Sequence, residues 1–144
     1  MPRMTRPVSH RSRRTALTWS STSSVTNLFV GEAIRAEEHP GIVFRPGPTG
    51  RRAAVTGGPD VWEVITAWHA VRSAEPNLEG DLLVTAVAET LGQTERRVRM
   101  AVRYYAAYPD EIDHRIAVNN ELADEAEAAW LTERRVLRQP GGQA

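Results

Sequence analysis

The sequence predicts a mainly α-helical protein in which a small β-hairpin precedes a helix-turn-helix and a long C-terminal helix follows. Two amphipathic segments meet at a glycine within Asp81–Tyr108, two strand-like runs flank the segment PGPTG, and Pro109 opens a long stretch with helical periodicity. Apolar residues that recur every three or four positions indicate packed helices, whereas clustered glycine and proline indicate turns. These three observations together define the fold class.

The first helix of the helix-turn-helix is predicted over Asp81–Leu91. Leu83 and Val87 belong to an apolar repeat of four residues, the pattern of a helix that packs on one side. Asp81 is placed to accept hydrogen bonds from the free N–H groups of the first turn. Gly92 suits the left-handed residue that ends a helix.

The second helix is predicted to start after Thr94 as its N-cap, and its buried face is expected to contain Val98, Ala101, Val102 and Tyr105. Arginines fall on roughly the opposite face. A helix with a basic outer face that follows a glycine-containing turn is typical of a helix that enters the DNA major groove. The same pattern also fits an ordinary helical hairpin with a solvated arginine face. The candidate DNA-binding residues here are Thr94, Arg96, Arg99 and Arg103.

The β-hairpin is predicted from two short strands, Ile42–Arg45 and Arg52–Val55, because strong turn chemistry lies between them. Arg51 and Arg52 are further candidate DNA contacts, in a wing beside the groove, or else they simply form a charged hairpin edge. The glycines of this region match neither a phosphate-binding loop nor a dinucleotide-binding motif.

The remaining segments complete the predicted domain organisation. Residues 1–24 are expected to form a disordered basic arm, because they are rich in arginine and serine and poor in apolar residues. Residues 25–108 are expected to form the hairpin and helix-turn-helix domain, in which Val25–Glu38 is a strand or short helix. A capping box of Asp60 and Glu63 opens a further helix. Residues 109–138 form the C-terminal helix, and 139–144 a disordered tail.

Composition argues against most catalytic classes. The chain has 144 residues, no cysteine and a formal net charge of zero, so thiolate chemistry is excluded and binding to a polyanion requires a local basic surface. The four histidines are scattered, at positions 10, 39, 69 and 114, and show no metal-binding spacing. We therefore expect no enzyme activity, no catalytic residue, no cofactor, no metal, no membrane association and a cytoplasmic location.

Two stretches carry a family resemblance: Gly50–Ile65 (GRRAAVTGGPDVWEVI) and Val87–Asp113 (VAETLGQTERRVRMAVRYYAAYPDEID). They resemble domain-of-unknown-function family 433, whose members look like VapB-type antitoxins paired with toxins that bear PIN-like ribonuclease domains. The resemblance implies a winged-helix-like fold, a homodimer, binding of operator DNA and neutralisation of a toxin. The chain departs from the family at Gly57-Gly58-Pro59, where a Gly-Thr-Arg run is common.

The leading hypothesis is therefore an antitoxin of a type II toxin–antitoxin pair. Its helix-turn-helix would bind operator DNA, and the helix from Pro109 would dock on the toxin. Arginines near the end of that helix would reach the acidic, metal-dependent ribonuclease site. Two alternatives stay open, a stand-alone DNA-binding transcriptional regulator and a purely protein-interaction module. The candidate toxin-binding residues are Trp130, Arg134, Arg135 and Arg138.

Overall fold

The computed structural model describes residues 19–139, with side chains from residue 24 onward. Within this range the chain forms five helices and two strands, and the predicted fold class is confirmed. In chain order the elements are α1 (Trp19–Glu38), β1 (Ile42–Arg45), β2 (Arg52–Val55), α2 (Val61–Ala74), α3 (Gly80–Leu91), α4 (Glu95–Ala107) and α5 (Pro109–Arg138).

The chain divides into two compact units, residues 1–34 and residues 35–144. In the described part of the first unit the chain is helical, so Val25–Glu38 is a helix and not a strand. This helix begins at Trp19, inside the segment predicted as a disordered arm; residues 1–18 of that arm lie outside the described residues. The predicted tail lies outside them too, apart from Gln139.

The hairpin of the second unit has the predicted bounds. Its strands pair antiparallel, from Ile42 opposite Val55 to Arg45 opposite Arg52. Ile42 and Val55 are buried, because the hairpin packs against α2 and α4. Gly50 in the connecting turn has a φ of 98°, a conformation that side chains with a Cβ rarely adopt.

Three helices, α2, α3 and α4, pack against one another and form the helix-turn-helix unit. The turn between α3 and α4 is as predicted, since Gly92 adopts the left-handed conformation at φ 61° and ψ 33°. The predicted start of α3 at Asp81 is wrong by one residue. The helix begins at Gly80, and its N-cap is Glu79. Asp81 therefore lies in the first turn, where its negative charge interacts favourably with the positive end of the helix dipole.

Helix α4 begins as predicted, because the Thr94 hydroxyl accepts a hydrogen bond from the Arg97 backbone N–H at 3.3 Å. The fully buried tyrosine, however, is Tyr104, and the predicted Tyr105 is only partly buried. The two differ in their partners. The Tyr105 hydroxyl donates to Asp113 at the surface, whereas Tyr104 reaches a partner at the start of α5.

Tyr104 organises the junction of α4 with the start of α5. Its hydroxyl donates to Glu111 at 3.0 Å, and Arg35 forms an ion pair with the same carboxylate. Burial raises the pKa of Tyr104, so the hydroxyl stays protonated and remains a donor. The Arg35 guanidinium also lies 4.6 Å from the centre of the Tyr108 ring. Residues at the end of α1 are thereby held to α4 and α5.

Helix α5 packs on the domain only through its first half. Ile112 is buried, and Arg115 donates to the backbone oxygens of Thr49 and Arg51 at 2.8 and 2.9 Å, which fixes the hairpin turn to the helix. From residue 121 every side chain of α5 is exposed. The long helix thus does not cross the core. Among the described residues, no helix is both long and apolar enough to cross a membrane.

Candidate nucleic-acid interface

The exposed face of α4 brings the three predicted arginines together. They line one shallow groove with Pro40, Glu95 and Met100. Arg96 and Arg103 are exposed, and within the described part of the chain neither makes a hydrogen bond or an ion pair. Their guanidinium groups are therefore available to a ligand with phosphate or carbonyl oxygens.

Arg99 lies between them but has partners of its own. Its Nη2 donates to Asp81 at 2.7 Å, and a Glu95 carboxylate oxygen is 4.0 Å away. The Arg99 side chain is 40% exposed and that of Asp81 is 85% exposed. An ion pair this open to water is weak, so a phosphate can replace the carboxylate. The pair also orients Arg99 across the start of α3.

The two hairpin arginines have different environments. Arg52 forms an ion pair with the buried carboxylate of Asp60 and lies against Gly47, where an added Cβ would overlap its guanidinium. The Arg51 guanidinium donates to the Phe44 backbone oxygen at 3.3 Å, near the surface. Arg52 thus joins the hairpin to α2, whereas Arg51 contacts the backbone of β1.

An arginine that the sequence analysis did not single out lies over the turn between β2 and α2. Arg97 donates to the Gln93 side-chain oxygen at 3.1 Å. A Cβ added at Gly57 would lie 3.0 Å from Arg97 Nη2, and one at Gly58 would lie 3.2 Å from its Cδ. The turn between β2 and α2 is therefore covered by an arginine from α4. The adjacent glycines Gly57 and Gly58 were the sequence feature that could have indicated this close contact.

The predicted toxin-binding residues lie together on the last turns of α5, an element separate from the α4 groove. Arg134, Arg135 and Arg138 line a shallow depression with Leu131 and Gln139. The Arg134 guanidinium is 4.6 Å from the centre of the Trp130 ring, and about half of the Trp130 residue is exposed. This surface is both basic and apolar.

Among the described residues, no group of three or more histidine, aspartate or glutamate side chains is placed to hold a metal ion. Two histidines have structural surroundings instead. His39 makes an edge contact with Tyr104 at a ring separation of 5.4 Å, and His69 lies 6.1 Å from the Tyr105 ring.

Comparison of the chain with protein-family models, with curated proteins and with solved structures gives no match.

The different surroundings of the two hairpin arginines predict different effects on stability. Arg52→Ala leaves the buried Asp60 carboxylate short of its closest partner and should lower the free energy of unfolding by about 2–3 kcal/mol. Arg51→Ala is the matched control and should cost less than about 1 kcal/mol, because the side chain is partly exposed and its hydrogen bond to the Phe44 backbone oxygen is long. Urea unfolding followed by circular dichroism measures both, and equal losses would contradict the structural role of Arg52.

Proposed function

We propose that this chain is a DNA-binding antitoxin, which binds operator DNA through α4 and a PIN-like ribonuclease toxin through the end of α5. The single observation that carries the DNA part is the arginine face of α4. Three guanidinium groups line one open groove on the second helix of a helix-turn-helix. A helix with this position and this charge fits the major groove of a duplex.

The distribution of charge supports the same proposal. The whole chain has a formal net charge of zero, so bulk charge does not attract nucleic acid. Binding must depend on local basic surfaces, and on α4 the arginines lie opposite the buried face of Val98, Ala101 and Tyr104. The helix is thus anchored on one side while the other side presents arginine, which can contact phosphate or hold guanine through two hydrogen bonds.

The DNA proposal predicts a specific salt dependence. The variant with Arg96, Arg99 and Arg103 all changed to Ala should bind duplex DNA on the order of a hundredfold more weakly at moderate salt. Arg96→Ala alone should reduce the slope of log K against log salt concentration by about one, because one phosphate contact is lost. Fluorescence anisotropy with a labelled duplex from upstream of the coding sequence measures both quantities.

The matched control is Arg72→Ala, which removes an exposed arginine from α2 without touching the α4 groove. Its affinity and salt slope should equal those of the unchanged protein. If the triple variant also binds DNA normally, α4 is not the reading helix and the DNA proposal fails.

The toxin part of the proposal is supported by the free half of α5. A helix that extends beyond the packed core, with an exposed tryptophan and three arginines over its last turns, is suited to bind along an acidic groove. Arginine can pair with the carboxylates of a metal-dependent ribonuclease site through two hydrogen bonds and so exclude substrate.

Neutralisation should therefore require the end of α5. A chain truncated after Asn120 should fail to restore growth when coexpressed with a PIN-like ribonuclease encoded beside it, although the removed residues that the structure describes, 121–139, are all exposed and none belongs to the core. The full-length variant without the three α4 arginines serves as the control and should still restore growth. Full rescue of growth by the truncated chain would contradict toxin binding through the end of α5 and would leave the alternative of a stand-alone DNA-binding regulator.

A further inference from the structure

The half of α5 beyond residue 120, which we call the distal helix, has an uncovered apolar stripe. Ala123, Trp130 and Leu137 recur at intervals of seven residues, the repeat of helices that pair along their length. Trp130 is 51% exposed and Leu137 is 75% exposed. The same side of the helix also includes Leu122, Ala126, Ala129 and Val136.

Charged residues follow one edge of this stripe in a defined order. Asp124 and Glu127 come first, and Arg134 and Arg138 come after, all on the same side at about 100° of rotation per residue. Within the described part of the chain, none of the four makes an ion pair.

The opposite charges of this edge cannot neutralise one another within one helix. Glu127 and Arg134 are seven residues apart, which is about 10 Å along the axis, whereas side chains of one helix meet at spacings of three or four. Asp124 and Glu127 do have such a spacing, and like charges there repel each other. The acidic and the basic parts of the edge each lack a partner of opposite charge.

We propose that the distal helix pairs antiparallel with the distal helix of a second copy of this chain. Glu127 lies opposite Arg134 of the second copy, and Asp124 opposite Arg138. The midpoints of the two pairs lie within about half a residue of each other, close to Trp130 and Leu131, so a single two-fold axis forms every pair twice. A parallel two-fold pair would place this edge against the opposite edge of the partner's stripe, which is formed by the apolar residues Leu122, Ala129 and Val136, and charge complementarity therefore selects the antiparallel arrangement.

The stripe also sets the strength of this pairing. The two Trp130 side chains meet near the axis, where burial of a large aromatic surface contributes most. Glu133 falls within the stripe, and burial of its carboxylate opposes association. The result is a reversible dimer that weakens as salt screens the edge charges. The pairing does not depend on a toxin, although a toxin bound at Arg134 would compete with the second copy.

Sedimentation equilibrium on the full chain tests the pairing, with far-ultraviolet circular dichroism to check each variant. The unchanged chain should dimerise. R134E/R138E should raise the dimer dissociation constant on the order of a hundredfold, because four attractive pairs become four repulsive ones. Arg135→Glu is the matched control: it makes the same change of charge at a residue farther from the apolar stripe than any of the four edge residues, and should leave the dimer nearly unchanged.

The attraction between the edge charges has its own test. The fourfold variant D124R/E127R/R134E/R138E reverses every charge of the edge and should dimerise like the unchanged chain. Mixing R134E/R138E with D124R/E127R should likewise give a heterodimer. A monomeric unchanged chain, a dimer unaffected by R134E/R138E, or no recovery in either the fourfold variant or the mixture would overturn the proposal. None of these results bears on DNA binding by α4.

Discussion

The position of the helix-turn-helix depends on the contacts of one buried group, the carboxylate of Asp60. It forms an ion pair with Arg52 of β2 and accepts a hydrogen bond from Trp62 Nε1 at 3.2 Å. Its backbone N–H donates to Glu63 at 2.8 Å, which closes the capping box of α2. A buried charge is tolerated only with such partners. Since α2 packs on both α3 and α4, the orientation of the arginine face follows from this junction.

A second junction fixes the opposite end of α4. Tyr104 and Glu111 connect the last turns of α4 to the first turn of α5, and Arg35 adds an ion pair from the end of α1. Pro109 between them starts the new helix and prevents a continuous one. Helix α4 is therefore held at both ends, while its outer face makes few contacts. Rigid support under an open charged face is what a preorganised binding surface requires.

Much of the fold was predictable from local patterns. The hairpin strands, the left-handed Gly92 and the start of α5 at Pro109 follow from turn chemistry and helix-end preferences, which act over a few residues. The helical state of Val25–Glu38 was not decided by its sequence, because its apolar residues form no clear stripe, and half of each large one is exposed. Short apolar runs of that kind leave helix and strand equally open.

The candidate site was predictable in part. Helical periodicity places Arg96, Arg99 and Arg103 on one face, and the structure brings them into one groove. Periodicity does not reveal partners distant in sequence. The ion pair between Arg52 and Asp60 depends on how the hairpin folds onto α2. The burial of Tyr104 in place of Tyr105 depends on where Glu111 lies. Such contacts arise from tertiary packing, which a single sequence leaves open.

We propose that DNA binds to the outer face of α4. This proposal can be tested by titrating the isotope-labelled full chain with a short duplex at low salt and following the backbone amide and arginine side-chain resonances. We expect the largest shifts at Arg96, Arg99 and Arg103, with smaller ones at Asp81 as its ion pair with Arg99 opens. Saturable binding whose shifts fall elsewhere and leave α4 unchanged would contradict it.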